Sequence, residues 1–93
     1  MSTNSGGGQG ANLPPMDFAG VIVAISMSAM VSMGQEPDPA TGQRHRDLAS
    51  AKQTIDMLGV IAEKTKGNLT DAEEQLLTKL LFDLRMGYVN ASS

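Results

Sequence analysis

The stretch Phe18-Ala19-Gly20-Val21-Ile22-Val23-Ala24-Ile25-Ser26-Met27-Ser28-Ala29-Met30-Val31-Ser32-Met33 decides how this chain folds. It contains no charged residue. Pro14 and Pro15 precede it, and a residue before proline is pushed out of the helical region, so a helix can begin only after Pro15. Asp17 is a suitable N-cap, because its carboxylate can accept from the free N–H groups of a first turn. Met16 and Val21 then hold the positions of a hydrophobic staple. Gly34 offers the left-handed conformation that stops a helix. The spacing predicts a helix over Asp17 to Met33.

Phe18, Val21, Ile22, Val23, Ile25, Met27, Met30, Val31 and Met33 are spread around the whole circumference of that helix. A helix that is apolar all round is normally buried all round. Gly20, Ala24, Ser28 and Ser32 recur every four residues and form a flat stripe that admits a second helix backbone. The expectation is therefore a helix packed on its own chain with one side and on a second subunit with the other. The expected oligomer interface is Phe18, Gly20, Val21, Ala24, Ile25, Ser28, Val31 and Ser32, with a dimer favoured. An ordinary core helix in a monomer is the competing reading. The methionines Met16, Met27, Met30 and Met33 suit either an adaptable binding surface or gap-filling in a core.

Outward from this segment, Gln35-Glu36-Pro37-Asp38-Pro39-Ala40-Thr41-Gly42-Gln43 is dense in turn formers and reads as a loop. Asp47 caps a second helix, expected to reach about Lys66. In it Leu48, Ala51, Ile55, Leu58 and Ala62 recur at steps of three and four, with Ile61 adjoining. Lys64 and Lys66 fall in its last turn, opposing the negative end of the dipole, and Gly67 follows as the stop. Gly59 interrupts the helix interior, which marks a place where another backbone comes close. Thr70-Asp71-Ala72-Glu73 reads as a capping box for a third helix. Leu76, Leu77, Leu80, Leu81, Leu84 and Tyr88 line its apolar face. Its end is expected near Gly87 to Asn90, with residues 91–93 frayed. The four-residue link from Gly67 to Thr70 favours an antiparallel hairpin of the second and third helices. The fold class expected is all-α: a disordered tail over 1–15, then three helices within 16–90, completed by dimerisation.

A chain of 93 residues makes one small domain, and such domains often need a disulfide, a metal or a second subunit. There is no Cys and a single histidine, His45, which leaves the second subunit. Seven Lys plus Arg against ten Asp plus Glu give a net charge of −3, which argues against nucleic acid. Arg44 and Arg46 around His45 read as a solvated loop carrying a little positive charge. No cationic leader precedes the apolar run, so a secretory signal is not expected. The run is sixteen residues long, short of the roughly 18 to 20 that cross a bilayer. A cytoplasmic protein is expected, with peripheral membrane association through Phe18–Met33 as the alternative. No nucleophile, base and orienting group converge in the pattern, so no enzyme, cofactor or metal site is expected. Arg85 and Tyr88, three apart on the third helix, are candidate partner anchors, since both types are enriched at binding hot spots. The plainer reading is a surface Arg whose stem packs beside a half-buried Tyr.

Several blocks, in order, resemble a family of short bacterial proteins described only as a domain of unknown function. They are Met16-Asp17-Phe18, Pro37-Asp38-Pro39-Ala40-Thr41-Gly42, Ala51-Lys52-Gln53-Thr54-Ile55-Asp56-Met57-Leu58, Lys64-Thr65-Lys66-Gly67-Asn68-Leu69-Thr70, and the close from Leu80-Leu81 through Leu84-Arg85 to Tyr88-Val89. The resemblance spans about Met16 to Val89. The family name implies no activity. One branch, the RomX-like proteins of gliding bacteria, implies a response-regulator partner, RomR, with which it promotes nucleotide exchange on MglA, a small Ras-like GTPase that sets cell polarity. Carried onto this chain, that resemblance implies partner contacts at Asp38 and Thr41 in the loop and at Lys52, Gln53 and Asp56 on the second helix. A tight turn and a solvated helix face are their ordinary explanations.

Overall fold

The computed structural model describes residues 16–92, and within them the chain forms three helices and no strand. They are α1 (Phe18–Ser32), α2 (Leu48–Lys64) and α3 (Asp71–Ser92). The tail expected to be disordered, 1–15, lies outside the described residues, as does Ser93.

Each helix begins where local chemistry satisfies its free N–H groups. An Asp17 carboxylate oxygen accepts from the Gly20 N–H at 2.8 Å. Asp47 does the same for Ser50 at 3.1 Å and takes its hydroxyl at 2.8 Å with the other oxygen. Thr70 and Glu73 form the reciprocal box, at 2.9 Å from the Thr70 N–H to Glu73 and 3.1 Å from the Glu73 N–H to Thr70. The expected staple takes another form: Met16 is largely exposed, and its sulfur lies over Gly20.

The helix ends follow the same accounting. Gly34 adopts φ 78°, and its N–H donates to Val31 while Gln35 reaches back to Met30 at 2.9 Å, which is the Schellman pattern. α2 stops at Lys64, two residues sooner than its spacing predicts. Thr65 turns its hydroxyl back onto the Ile61 carbonyl at 2.7 Å, competing with the backbone ladder. Lys66 therefore sits in the turn beyond the helix. α3 runs the other way, past Asn90 to Ser92, so residues 91 and 92, expected to fray, are helical.

The core lies where all three helices meet. α1 contributes Ile22, Ser26 and Ala29, with Met33 as its C-cap; α2 contributes Ala51, Ile55 and Leu58; α3 contributes Leu77, Leu81 and Leu84. These sit at steps of three and four, so each helix turns one stripe inward. Leu48, Ile61, Ala62, Leu76, Leu80 and Tyr88 pack around the rim, as their periodicity predicts. Ser26 is the one buried polar side chain among the described residues, and it donates its hydroxyl to the Ile22 carbonyl at 2.8 Å. A satisfied hydroxyl carries little penalty, and its small size, with Ala29 and the fully buried Ala51, lets helices approach closely.

Leu58 is fully buried whereas its neighbour Met57 is half-exposed. Leu58→Ala is expected to lower stability by about 2–5 kcal/mol, and Met57→Ala to change it by less than about 0.5 kcal/mol. Urea denaturation of the two variants measures the difference.

Candidate interaction surface

The inward stripe uses only part of α1. On its other side Val21, Val23, Ala24, Met27 and Ser28 are exposed, with Val23 at 42% and Met27 at 44%. Since Phe18–Ser32 holds no charged side chain, this whole outer face is uncharged. The residues expected at the oligomer interface divide accordingly. Val21, Ala24 and Ser28 face solvent, while Gly20, Val31 and Ser32 are half-buried. Phe18 and Ile25 turn toward the hydrophobic core and pack against it, which sets them at the margin of the outer face.

Beside the C-terminal half of this face runs the loop between α1 and α2, and together they enclose a groove of about 590 Å³. Ala24, Met27, Ser28, Val31 and Ser32 form one wall; Glu36, Pro37, Asp38, Pro39 and His45 form the other. Four of the residues expected at the oligomer interface and one expected partner residue, Asp38, are thus gathered around a single groove.

The loop wall is fastened from several directions. Asp38 is its hub: its carbonyl accepts from Thr41 at 3.2 Å and Gly42 at 2.6 Å, and its N–H donates to the Gln43 carbonyl at 2.8 Å. One Asp38 carboxylate oxygen takes the Ala40 N–H at 2.8 Å, and the other faces His45 Nε2 at 3.4 Å. Thr41 receives the Gln43 N–H on its hydroxyl at 3.3 Å. The tight-turn account therefore describes what Asp38 and Thr41 do within the fold. Arg44 donates to the carbonyls of Gln35 at 2.7 Å and Gly34 at 3.4 Å, just past the end of α1. Arg46 donates to the Ala91 carbonyl at 3.3 Å, in the last turn of α3. The Asp47 N–H donates to Ser32 at 2.7 Å. Helix C-termini expose unsatisfied carbonyls and carry partial negative charge, which suits a guanidinium. Arg44 and Arg46, read from sequence as merely solvated, instead bind the loop to two helix ends. No local pattern announces this, because the acceptors belong to backbone brought near only by folding.

The remaining partner candidates lie apart from the groove, along α2 and α3. Lys52 pairs with Asp56 at 2.8 Å, one helical turn on. The hydrogen bond to Asp56, and then the charge of that carboxylate, raise the Lys52 pKa above its ordinary value. Both side chains are mostly exposed, so the pair adds little to stability. Gln53 is exposed on α2. Arg85 reaches from α3 over Gly59, where an added Cβ would lie 3.2 Å from its guanidinium. What comes close to Gly59 is thus this side chain and not a backbone. Tyr88 is half-buried against the core.

Phe82, Met86 and Val89, to which the sequence assigned no contact, are exposed on the outer side of α3, Phe82 to 64%. Their steps of four and three were the available signal, masked by Asp83 and Arg85 between them. Among the described residues no group of three or more His, Cys, Asp or Glu is placed to hold a metal ion. None of the described helices is long and apolar enough to cross a membrane.

These features define a small all-helical domain with an uncharged outer helix face and a braced loop beside it. The family model for a domain of unknown function, DUF1844, matches residues 15–90, and the chain belongs to that family. No curated protein and no solved structure gives a match.

Asp47 carries the pH dependence of the α2 start. The Ser50 N–H, and then the Ser50 hydroxyl, stabilise its ionised form and lower its pKa below the ordinary 3.8. A depressed carboxylate contributes stability above its unfolded pKa and loses it as pH falls through the folded value. The melting temperature is expected to drop as pH is lowered through and below the ordinary aspartate range. Asp47→Asn, which keeps a capping oxygen without titrating, is expected to show a shallower drop in thermal melts across the same series.

Proposed function

We propose that this protein is a non-catalytic, cytoplasmic interaction module that covers the outer face of α1 with another polypeptide. The observation carrying this reading is a helix without a single charged side chain whose outer residues meet solvent. Exposed apolar patches of this kind mark contact sites more often than they decorate monomers. A second copy of the chain is the simplest occupant. The stripe of Ala24 and Ser28 admits a close mate, and an uncharged face opposes no like charges when paired with itself. On this reading the domain is a homodimer.

The RomX-like resemblance extends the proposal to a particular assembly. The module, joined to a response-regulator scaffold, promotes nucleotide exchange on a small Ras-like GTPase of the MglA type in cell polarity. Supporting it are the ordered sequence blocks between Met16 and Val89. Loop residues Asp38 and Thr41, and Lys52, Gln53, Asp56, Arg85 and Tyr88 on α2 and α3, are the contacts this version assigns to partners.

Peripheral membrane association draws on the same α1 face. It is the weaker reading, because interfacial helices carry a Lys- and Arg-rich polar side, and α1 has neither residue. Flotation with liposomes separates the two, the module remaining with the unbound fraction.

Sedimentation equilibrium at micromolar concentration is expected to give the mass of a dimer, and Ala24→Asp, a charge placed on an exposed position, the mass of a folded monomer. A native chain that stays monomeric throughout removes the second copy as occupant. For the exchange-factor version, release of a labelled nucleotide from the GTPase is expected to accelerate only when both this protein and the scaffold are present. Unchanged release with every combination removes that version.

A further inference from the structure

The groove beside α1 has an acid that the fold leaves unused. Glu36 lines it and is half-buried, yet it forms no hydrogen bond or ion pair with any other described residue. Its neighbour Asp38 is fully engaged, with Ala40 on one oxygen and His45 on the other. The two arginines of the loop hold backbone carbonyls and not Glu36, Arg44 those of Gly34 and Gln35 and Arg46 that of Ala91. A carboxylate that lines a groove without a partner offers a matching cation a charge-assisted hydrogen bond. The rest of the groove is uncharged on its α1 side, with Ala24, Met27, Ser28 and Val31, and stiff on its loop side, with Pro37 and Pro39 fixed in φ. A wall held rigid before contact loses little entropy on binding.

We propose that this groove docks an amphipathic helical segment of a different protein, which lays its apolar face on α1 and brings a lysine or arginine to Glu36. The inference rests on the reading of α1 as a docking face and specifies the chemistry of its occupant. The α1 of a second copy does not meet that specification. It has no charged side chain, and the acids Asp17 and Glu36 flank it on either side, so a mate helix offers Glu36 no cation. Both occupants would use Ala24 and Ser28, so the basic segment displaces a second copy and does not join it.

The test uses two fluorescently labelled helical peptides with the same alanine and leucine face. One carries a single arginine beyond that face, the other a glutamate at the same place. Fluorescence anisotropy with the full chain is expected to show the arginine peptide binding about tenfold or more tightly, a difference typical of a close charge pair. Glu36→Lys is expected to invert the preference and Glu36→Gln to erase it, with circular dichroism showing both variants folded. Equal binding of the two peptides, absence of binding by either, or a preference unmoved by Glu36→Lys overturns the proposal. Ala24→Asp tells its failure from that of the docking reading. If it abolishes binding of both peptides while they bind the native chain equally, the docking face stands and the cation rule falls. If peptide binding ignores Ala24→Asp and the native chain also sediments as a monomer, the docking reading falls with it.

Discussion

Burial of the Ile22, Ser26, Ala29 and Met33 stripe against α2 and α3 holds the three helices together, and it determines what is left outside. Two helices packed on a third cover one side of it. Because α1 is apolar around its circumference, the side left over is uncharged rather than polar. α2 and α3 also leave apolar side chains in solvent, Val60 and Phe82 among them, but there they are interspersed with charge. Each carries charged residues away from its buried stripe, such as the Lys52–Asp56 and Lys79–Asp83 pairs. The asymmetry among the helices therefore originates in residue choice along Phe18–Ser32, and the fold turns it into a directional surface.

The loop between α1 and α2 makes that surface a shaped one. Without the bonds from Arg44, Arg46 and Asp47 to the helix ends, residues 35–46 would be a tether. With them, they stand as a wall beside α1, and Glu36, Pro37 and Pro39 take fixed places along a groove. The same two arginines neutralise the negative ends of α1 and α3, so one short segment supports the ends of both helices and builds the groove.

What could be read in advance divides along physical lines. Helix starts were legible because caps are local: Asp17, Asp47 and the Thr70–Glu73 box each act within three residues of themselves. The buried stripes of α2 and α3 were legible because a contrast between apolar and charged positions identifies a face. In α1 that contrast is missing, so periodicity alone could not say that Ser26 and Ala29 point inward while Val23 and Met27 point out, nor that Phe18 and Ile25 lean to the core. The roles of Arg44 and Arg46 were illegible for a different reason. Their acceptors are carbonyls that belong to no side-chain pattern. The position of Arg85 over Gly59 likewise depends on how α3 crosses α2. The groove, a product of these long-range contacts, was visible in sequence only as its separate ingredients.

Because the chain has no cysteine, a single one introduced into the α1 face reports directly on whether that face is covered. The alkylation rate of Ser28→Cys can be compared with that of Gln53→Cys on the exposed side of α2. Labelling at position 28 is expected to slow as protein concentration rises or when a basic helical segment is added, while labelling at position 53 stays constant. Equal, unchanging rates at both positions under every condition would contradict a covered face.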